Sequence, residues 1–474
     1  MDAERHRRLP RRIGSKLTSS RFTTSVAVVG LYAAVRVWEL GASSPRLLPD
    51  TIEYQRIADL PLSLAFFSEL KPWAVPLLYK LLPGTAAVSV PVAQLLISIA
   101  AWLVLAFAFG RCFTEGRLRL LATALVLAFS CSPLVAQWDG VLLSESLSLS
   151  LLALVLACAI ELARAPRLAA VAALLVTGVL WAATRDANVY AFLLLAPALV
   201  YPLWRRRRTL AVTLAVGTAA ILTLSAWSAS SPRRWELLLI DNVDQRVLAD
   251  PSARDYFRGR GMPFQSDLRR RLYASRRPLS RFDRDPELRS FRGWLRRSGR
   301  STYADYLVSH PRTTLEQPLG RVGLLLSPVG LDFYRPPRFR SLLPRPLDRL
   351  LFPRSGRTTL LLLALATVGA LGLGCASRTK ALVPLAGAAS VIPLAVLIWD
   401  SEPREVPRHE LVPTVLTRLS LLALCLLIAQ ELAARTGRAE RPARARAAVR
   451  APAWAAGQRD PGAPASARSP TRAP

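Results

Sequence analysis

Residues 86–110 read AAVSVPVAQLLISIAAWLVLAFAFG, a run without a charged side chain. At 1.5 Å per residue, a helix of that length covers the roughly 30 Å hydrocarbon layer of a bilayer. Lipid offers no partner to backbone N–H and C=O groups. Only helices or closed barrels therefore cross it, and this run is too long for a barrel strand. The pattern recurs on both sides. Hydrophobic residues make up 52% of the 474, more than a globular core of this length needs, and the excess sits in blocks of roughly twenty residues. About ten spans are expected, over residues 23–41, 86–110, 118–136, 146–163, 168–183, 188–204, 209–228, 358–376, 381–399 and 412–433. The fold class expected is an all-α polytopic membrane protein.

The basic residues orient it, because cytoplasmic loops carry the excess of Lys and Arg. Arg5, Arg7, Arg8, Arg11, Arg12 and Lys16 place the N-terminal residues 1–21 in the cytoplasm. Every second short connection is then cytoplasmic, and these hold Arg111, Arg117 and Arg119, then Arg164 and Arg167, then Arg205 to Arg208, then Arg378 and Lys380. The opposite loops are poorer in both residues, and the one around Trp138-Asp139 has none. Both termini are expected in the cytoplasm of a plasma-membrane protein. Trp38, Trp138, Trp181, Trp204, Trp227 and Trp399 stand at span ends, as interfacial tryptophans do. The first apolar run is expected to be retained. Arg36 and Glu39 precede its only small-residue cleavage site, Gly41-Ala42-Ser43, which argues against a secretory signal.

Spans one to seven make a membrane domain over 22–229, with a first outer loop at 42–85. Spans eight to ten occupy 358–434. Between them, 230–357 is expected as an extracytoplasmic domain; it is rich in arginine, but long loops cross regardless of charge. Within it, residues 319–331 are apolar enough, apart from Arg321, to lie on the membrane surface. The tail 435–474 is alanine, arginine, proline and glycine, which bury no core, and is expected to be disordered. The formal net charge is +31. Its arginines flank spans instead of lining one face, so nucleic acid is not an expected partner. The five cysteines form no CxxC motif, and neither a disulfide framework nor a zinc site is expected.

The outer loops gather acids and bases. The first holds Asp50, Glu53 and Tyr54, spaced to share one helix face. The second holds Trp138, Asp139, Ser144 and Glu145. The third holds Thr184, Arg185, Asp186 and Asn188. The last holds Glu402, Arg404, Glu405, Arg408, His409 and Glu410, followed by Arg418 about two turns inside the last span. Such a rim suits chemistry on a lipid-linked substrate. Moving a sugar from a lipid phosphate to a hydroxyl needs a base, and a carboxylate near apolar walls is a stronger one. It also needs cations for the departing phosphate, a role that arginine's planar fork fits. Asp50, with Glu53, is the candidate base. Tyr54, Glu145, Arg185, Asp186, Arg408, His409 and Arg418 are candidate substrate ligands.

Each has a second reading. Asp50 and Glu53 also match a capping box at N-cap and N3. Ser144-Glu145 suits a helix start, where the dipole favours the acid. Arg185-Asp186 suits a surface ion pair, His409 a solvated loop, and Arg36 and Glu39 mutual neutralisation one turn apart. Arg418 could snorkel to the interface. Asp283-Arg284-Asp285 matches the short DxD pattern for a metal and a nucleotide sugar, but it lies in a loop expected to face outside.

The arrangement resembles the GT-C class of polyprenyl-phosphate-sugar glycosyltransferases, in particular the bacterial relatives of protein mannosyltransferases and arabinofuranosyltransferases. The resemblance spans roughly residues 22–230 and, more loosely, the last three spans. It is carried by Asp50 with Glu53-Tyr54; by the Pro-rich amphipathic stretch from Leu70-Lys71-Pro72-Trp73 to Leu81; by Leu143-Ser144-Glu145-Ser146-Leu147; and by Thr184-Arg185-Asp186-Ala187-Asn188. It implies that Asp50 is the catalytic base, that the stretch after it is a juxtamembrane helix, and that the donor is a lipid-phosphate sugar used on the outer face. A second acid common in that class has its nearest equivalents in Glu53 and Asp139. The insertion at 230–357 has no counterpart there. The function expected is transfer of a sugar from a polyprenyl-phosphate donor to a glycan, lipid or protein acceptor of the cell envelope. A divalent cation is compatible with these residues but not required by them. The rivals are a transporter or flippase of lipid-linked sugars, which would place ionisable residues deep in several spans, and a non-catalytic membrane scaffold.

Overall fold

The computed structural model describes residues 11–82, 86–275, 279–375, 379–401 and 403–450. The chain divides into two compact units, residues 1–428 and 429–474. The described residues are mainly helical, with no strand among them and one isolated parallel bridge between Arg46 and Val141. In chain order the principal helices are α1 (Arg11–Gly41), α2 (Pro49–Ala58), α3 (Ala74–Leu81), α4 (Ala86–Gly110), α5 (Gly116–Ser130), α6 (Glu145–Arg164), α7 (Leu168–Ala182), α8 (Asp186–Arg206), α9 (Arg208–Ser228), α10 (Pro232–Asn242), α11 (Arg300–Ser309), α12 (Gly356–Gly372), α13 (Thr379–Ser401), α14 (Val406–His409) and α15 (Leu411–Arg450).

Six described helices are long and apolar enough to cross a membrane, namely α4, α6, α8, α9, α13 and α15. The number rises to eight if two bent pairs each count as one span. The protein is thus an all-α membrane protein, with fewer full-length spans among the described residues than the ten expected. The reasons are local. The run at 118–136 breaks after Ser130, and the segment from Pro133 turns away by 54°; proline ends the ladder of helical hydrogen bonds there. Helix α7 has 15 residues, about 22 Å of rise, short of the bilayer core. The run at 23–41 falls in α1, which is not among the six.

Helix α6 is the hub. It packs on α4, α7 and α13, and its buried positions run from Glu145 to Leu162. Its alternating serines serve that role, because small side chains let neighbouring helices approach and their hydroxyls bond across the gap. Ser146 donates to Asp139 at 2.6 Å, and Ser148 accepts the Asn188 amide at 2.9 Å. A buried polar knot lies beside it. Arg36 donates to Asp139 at 2.5 Å, to Ser130 O at 2.9 Å and to Ser98 at 3.1 Å. The expected pairing of Arg36 with Glu39 is present, and a closer partner a hundred residues away, Asp139, joins it. Glu39 lies 3.9 Å from Arg36 and accepts the Leu342 N–H at 3.0 Å. Two expected interfacial tryptophans are also core residues. Trp138 and Trp181 are fully buried, whereas Trp38, Trp204 and Trp227 are exposed.

The insertion at 230–357 folds in two parts. Leu239, Ile240, Val243, Phe257, Phe291 and Trp294 belong to a small core of their own within 239–306. Leu326, Leu331, Tyr334, Leu351 and Phe352 instead join the main core, with Tyr334 against Trp138 and Phe352 against Phe129. Within 319–331, Leu325, Leu326 and Leu331 are buried, while Leu319, Leu324 and Val329 stay exposed. The backbone of the expected tail is helical from 435 as far as Arg450, and 451–474 lie outside the described residues.

Candidate active site

Pro49 occupies the first turn of α2, where its missing N–H has no intrahelical partner to lose. Thr51 accepts the Leu48 N–H at 3.1 Å and donates to Leu142 O at 2.8 Å. Thr51 therefore makes the cap that the sequence pattern assigned to Asp50 and Glu53, and the Asp50 carboxylate turns to distant partners. It is 7% exposed. Its Oδ1 accepts from Lys71 Nζ at 3.1 Å and its Oδ2 from Arg408 Nη1 at 3.0 Å. Two cations flank it in place of the apolar walls expected.

Arg408 sits in the single turn of α14 and is almost fully buried. Three carboxylates converge on it: Asp50, Glu145 through Nε at 2.5 Å, and Glu405 through Nη1 at 2.6 Å. Burial opposes the guanidinium charge, but Glu145 and Asp50 outweigh it and hold Arg408 protonated. Glu145, at the start of α6, lies behind Arg408 and also stands 3.5 Å from Arg185 Nη1.

Arg185 donates to Arg408 O at 3.2 Å and lies 2.6 Å from His409 Nδ1. A guanidinium has no acceptor, so Nδ1 accepts and the imidazole proton resides on Nε2. Burial, then Arg185 and Arg408, push the His409 pKa well below its usual value, and the ring is neutral. The expected Arg185–Asp186 pair does not form. Asp186 takes a bidentate contact from Arg234 of α10, and Arg234 also reaches Ser228. Asn188 secures the local turn through Thr184 Oγ1 at 2.9 Å and Trp181 O at 3.1 Å.

These side chains bound one cavity of about 280 Å³. Asp50, Tyr54, Lys71, Arg185, Asp186, Arg234, Arg408 and His409 supply its polar wall; Trp235, Leu238, Leu397 and Ile398 supply apolar ones. Tyr54 is buried and packs edge-on against Tyr79, with ring centroids 6.1 Å apart; burial raises its phenol pKa. Lys71 and Arg234 were not singled out from the sequence. Lys71 stands inside the amphipathic stretch that was, and its neighbour Pro72 holds it at the entrance to α3. Arg234 is one of many arginines in the insertion, with no local mark of its role.

Two expected site residues lie elsewhere. Glu53 points away from the cavity to Arg56 at 2.6 Å, and Arg56 also binds Glu69 at 2.9 Å. Three residues turn an α-helix by about 300°, so Glu53 stands roughly 60° round from Asp50, far enough for its carboxylate to reach Arg56 instead of the cavity. Arg418 is buried against backbone. It donates to Thr414 O at 2.9 Å, Leu326 O at 3.1 Å and Pro353 O at 2.8 Å. Leu326 and Pro353 stand at the ends of the helical segments Gln317–Leu325 and Arg345–Leu351, whose last carbonyls need donors, and these bonds hold the guanidinium away from the cavity.

Glu410 is fully buried and neither of its oxygens has a hydrogen-bond partner among the described residues. Burial pushes its pKa well up, so it stands neutral. Glu402 lies outside the described residues. Asp283 pairs with Arg296 at 2.9 Å and Asp285 caps the Glu287 N–H at 3.0 Å, local tasks for the DxD-like triplet. Among the described residues, no group of three or more His, Cys, Asp or Glu is placed to hold a metal ion.

Fold and site together define a helical membrane protein with a mainly cationic cavity formed at the ends of its helices. No protein-family model and no curated protein sequence matches the chain.

Proposed function

We propose that this chain is an inverting glycosyltransferase of the GT-C class, embedded in the plasma membrane with both termini in the cytoplasm. It would move a sugar from a polyprenyl phosphate to a glycan, lipid or protein acceptor on the outer face. One observation carries the reading: Asp50, Lys71, Arg185, Arg408 and His409, drawn from four separate regions of the sequence, line a single cavity at the helix ends. A carboxylate between cations is what the chemistry needs. The donor phosphate competes with Asp50 for Lys71 and Arg408. Once they turn to the phosphate, the carboxylate can take the proton of an acceptor hydroxyl. The acceptor oxygen then bonds to the anomeric carbon as the carbon–oxygen bond to phosphate breaks, and polyprenyl phosphate departs with that electron pair. Cations ready for the developing charge stabilise that step most. Arg185 keeps the neutral His409 in place beside Arg408. No metal is needed for these roles, and a divalent cation remains compatible with them.

The test is Asp50→Asn, assayed with radiolabelled polyprenyl-phosphate sugars in membranes that contain the protein. Transfer should fall by about 100-fold or more, the scale of a lost general base, while polyprenyl phosphate still binds. Full activity in a folded Asp50→Asn variant would rule out Asp50 as the base. A transporter would need ionisable groups deep in the spans that answer to a substrate. The deep arginines Arg36 and Arg418 are instead committed to Asp139 and to backbone carbonyls.

A further inference from the structure

The turn that presents Arg408 and His409 is gripped from two sides. On the cavity side Arg408 binds Asp50 and Glu145. On the far side Arg404 reaches into the helical part of the insertion. Its Nε lies 2.8 Å from Asp241 Oδ1, its Nη2 contacts Asp244 Oδ2, and its guanidinium covers the Tyr273 ring at 5.6 Å. Asp244 is almost fully buried. The end of α13 is fastened to the same part of the chain: Arg246 pairs with Asp400 at 3.1 Å, Asn242 donates to Ser401 O at 3.2 Å, and Tyr303 Oη lies 2.8 Å from Asp400 O.

Between the two grips stands Glu405, in the left-handed region at φ 53°, ψ 30°. A residue with a Cβ stays there only where its surroundings impose it. Its carbonyl accepts the N–H groups of Arg408 at 2.8 Å and His409 at 3.2 Å. The Glu405 backbone thus sets the direction in which both side chains leave the turn.

We propose that Arg404 is a positioning residue: its ion pairs with Asp241 and Asp244 keep Glu405 left-handed and so aim Arg408 and His409 into the cavity. The insertion then does more than roof the site. It supplies Trp235, Leu238 and Arg300 to the cavity wall, and through Arg404 it fixes the cation that meets Asp50. The ligand-binding arm of the test rests on the reading of Arg408 as a phosphate ligand; the exchange arm does not.

The experiment uses the full chain in lipid nanodiscs, as wild type, Arg404→Met, Arg404→Lys and Arg408→Met. Two quantities are measured: hydrogen–deuterium exchange of peptides covering 404–411, and the affinity for farnesyl phosphate, followed by tryptophan fluorescence. Arg404→Met should speed exchange in 404–411 and leave α4 and α6 unchanged. It should weaken farnesyl phosphate about tenfold, as expected if the aimed turn is populated about a tenth of the time. Arg404→Lys, which keeps the charge but loses the fork that spans Asp241 and Asp244, should restore only part of the affinity. Arg408→Met should abolish binding. If wild type binds no farnesyl phosphate, the phosphate reading fails and exchange alone decides on Arg404. Wild-type exchange in 404–411 of Arg404→Met overturns the proposal. So does faster exchange spread through α4 and α6, which would make Arg404 a general stabiliser.

Discussion

Replacing Arg408 with alanine tests whether compensation of buried charge holds the site together. Arg408 is 4% exposed and is the shared partner of Asp50, Glu145 and Glu405. Deleting one member of a buried ion pair costs about 3–5 kcal/mol, because the other charge is left without compensation. Here each buried carboxylate keeps one cation: Lys71 stays 3.1 Å from Asp50, and Arg185 stays 3.5 Å from Glu145. Glu405 is partly exposed and adds little. The lower end of that range applies, about 3 kcal/mol. The assay is denaturation in detergent, followed by the fluorescence of the eleven tryptophans. The diagnostic partner is Glu145→Gln. If under-compensated charge is the cause, adding it to Arg408→Ala removes the deeper of the two carboxylates left with a single cation. The double variant should then be more stable than Arg408→Ala by about 1–2 kcal/mol, a coupling typical of contacting residues. A cost below about 1 kcal/mol for Arg408→Ala, or a double variant at the sum of the two singles, would refute the reasoning.

The remaining predictions concern groups around the cluster. His409 has a folded pKa well below its usual 6.5, so its contribution is complete above 6.5 and is lost as pH falls from there through the folded pKa; His409→Gln should flatten the acid side of a stability–pH profile. Glu410 has a folded pKa well above its usual 4.5, so its contribution is complete below 4.5 and is lost as pH rises from there through the folded pKa. Glu410→Gln should therefore raise the melting temperature at pH 7, with the gain vanishing near pH 4. Arg418→Met leaves two helix-end carbonyls without a donor and should cost about 1–3 kcal/mol, read by the same denaturation assay, while farnesyl phosphate affinity stays at the wild-type value.

Much of the site was legible because topology is coarse. Alternate connections between spans return to the same side, so Asp50, Arg185, Arg408 and His409 could be grouped without knowing any distance. The roles assigned within short stretches fared differently. Asp50 and Glu53 looked like one functional unit because they are three residues apart, yet α2 faces one inward and the other to Arg56. Thr51 took the cap, a choice that depends on Leu142 being within reach of its hydroxyl. Arg404 is indistinguishable by sequence from the other arginines of the outer loops; only the docking of Asp241 and Asp244 against it gives it a task.

The sequence by itself determined that the chain is helical and membrane-embedded, since the length and apolarity of a run are local properties that lipid reads directly. The tertiary structure decided how many runs are straight enough to cross and which charge meets which. Coulomb attraction and hydrogen bonding act over a few ångströms. A guanidinium therefore takes whatever packing brings within that reach: Asp139 for Arg36, two broken helix ends for Arg418, and Asp50 with Glu145 for Arg408.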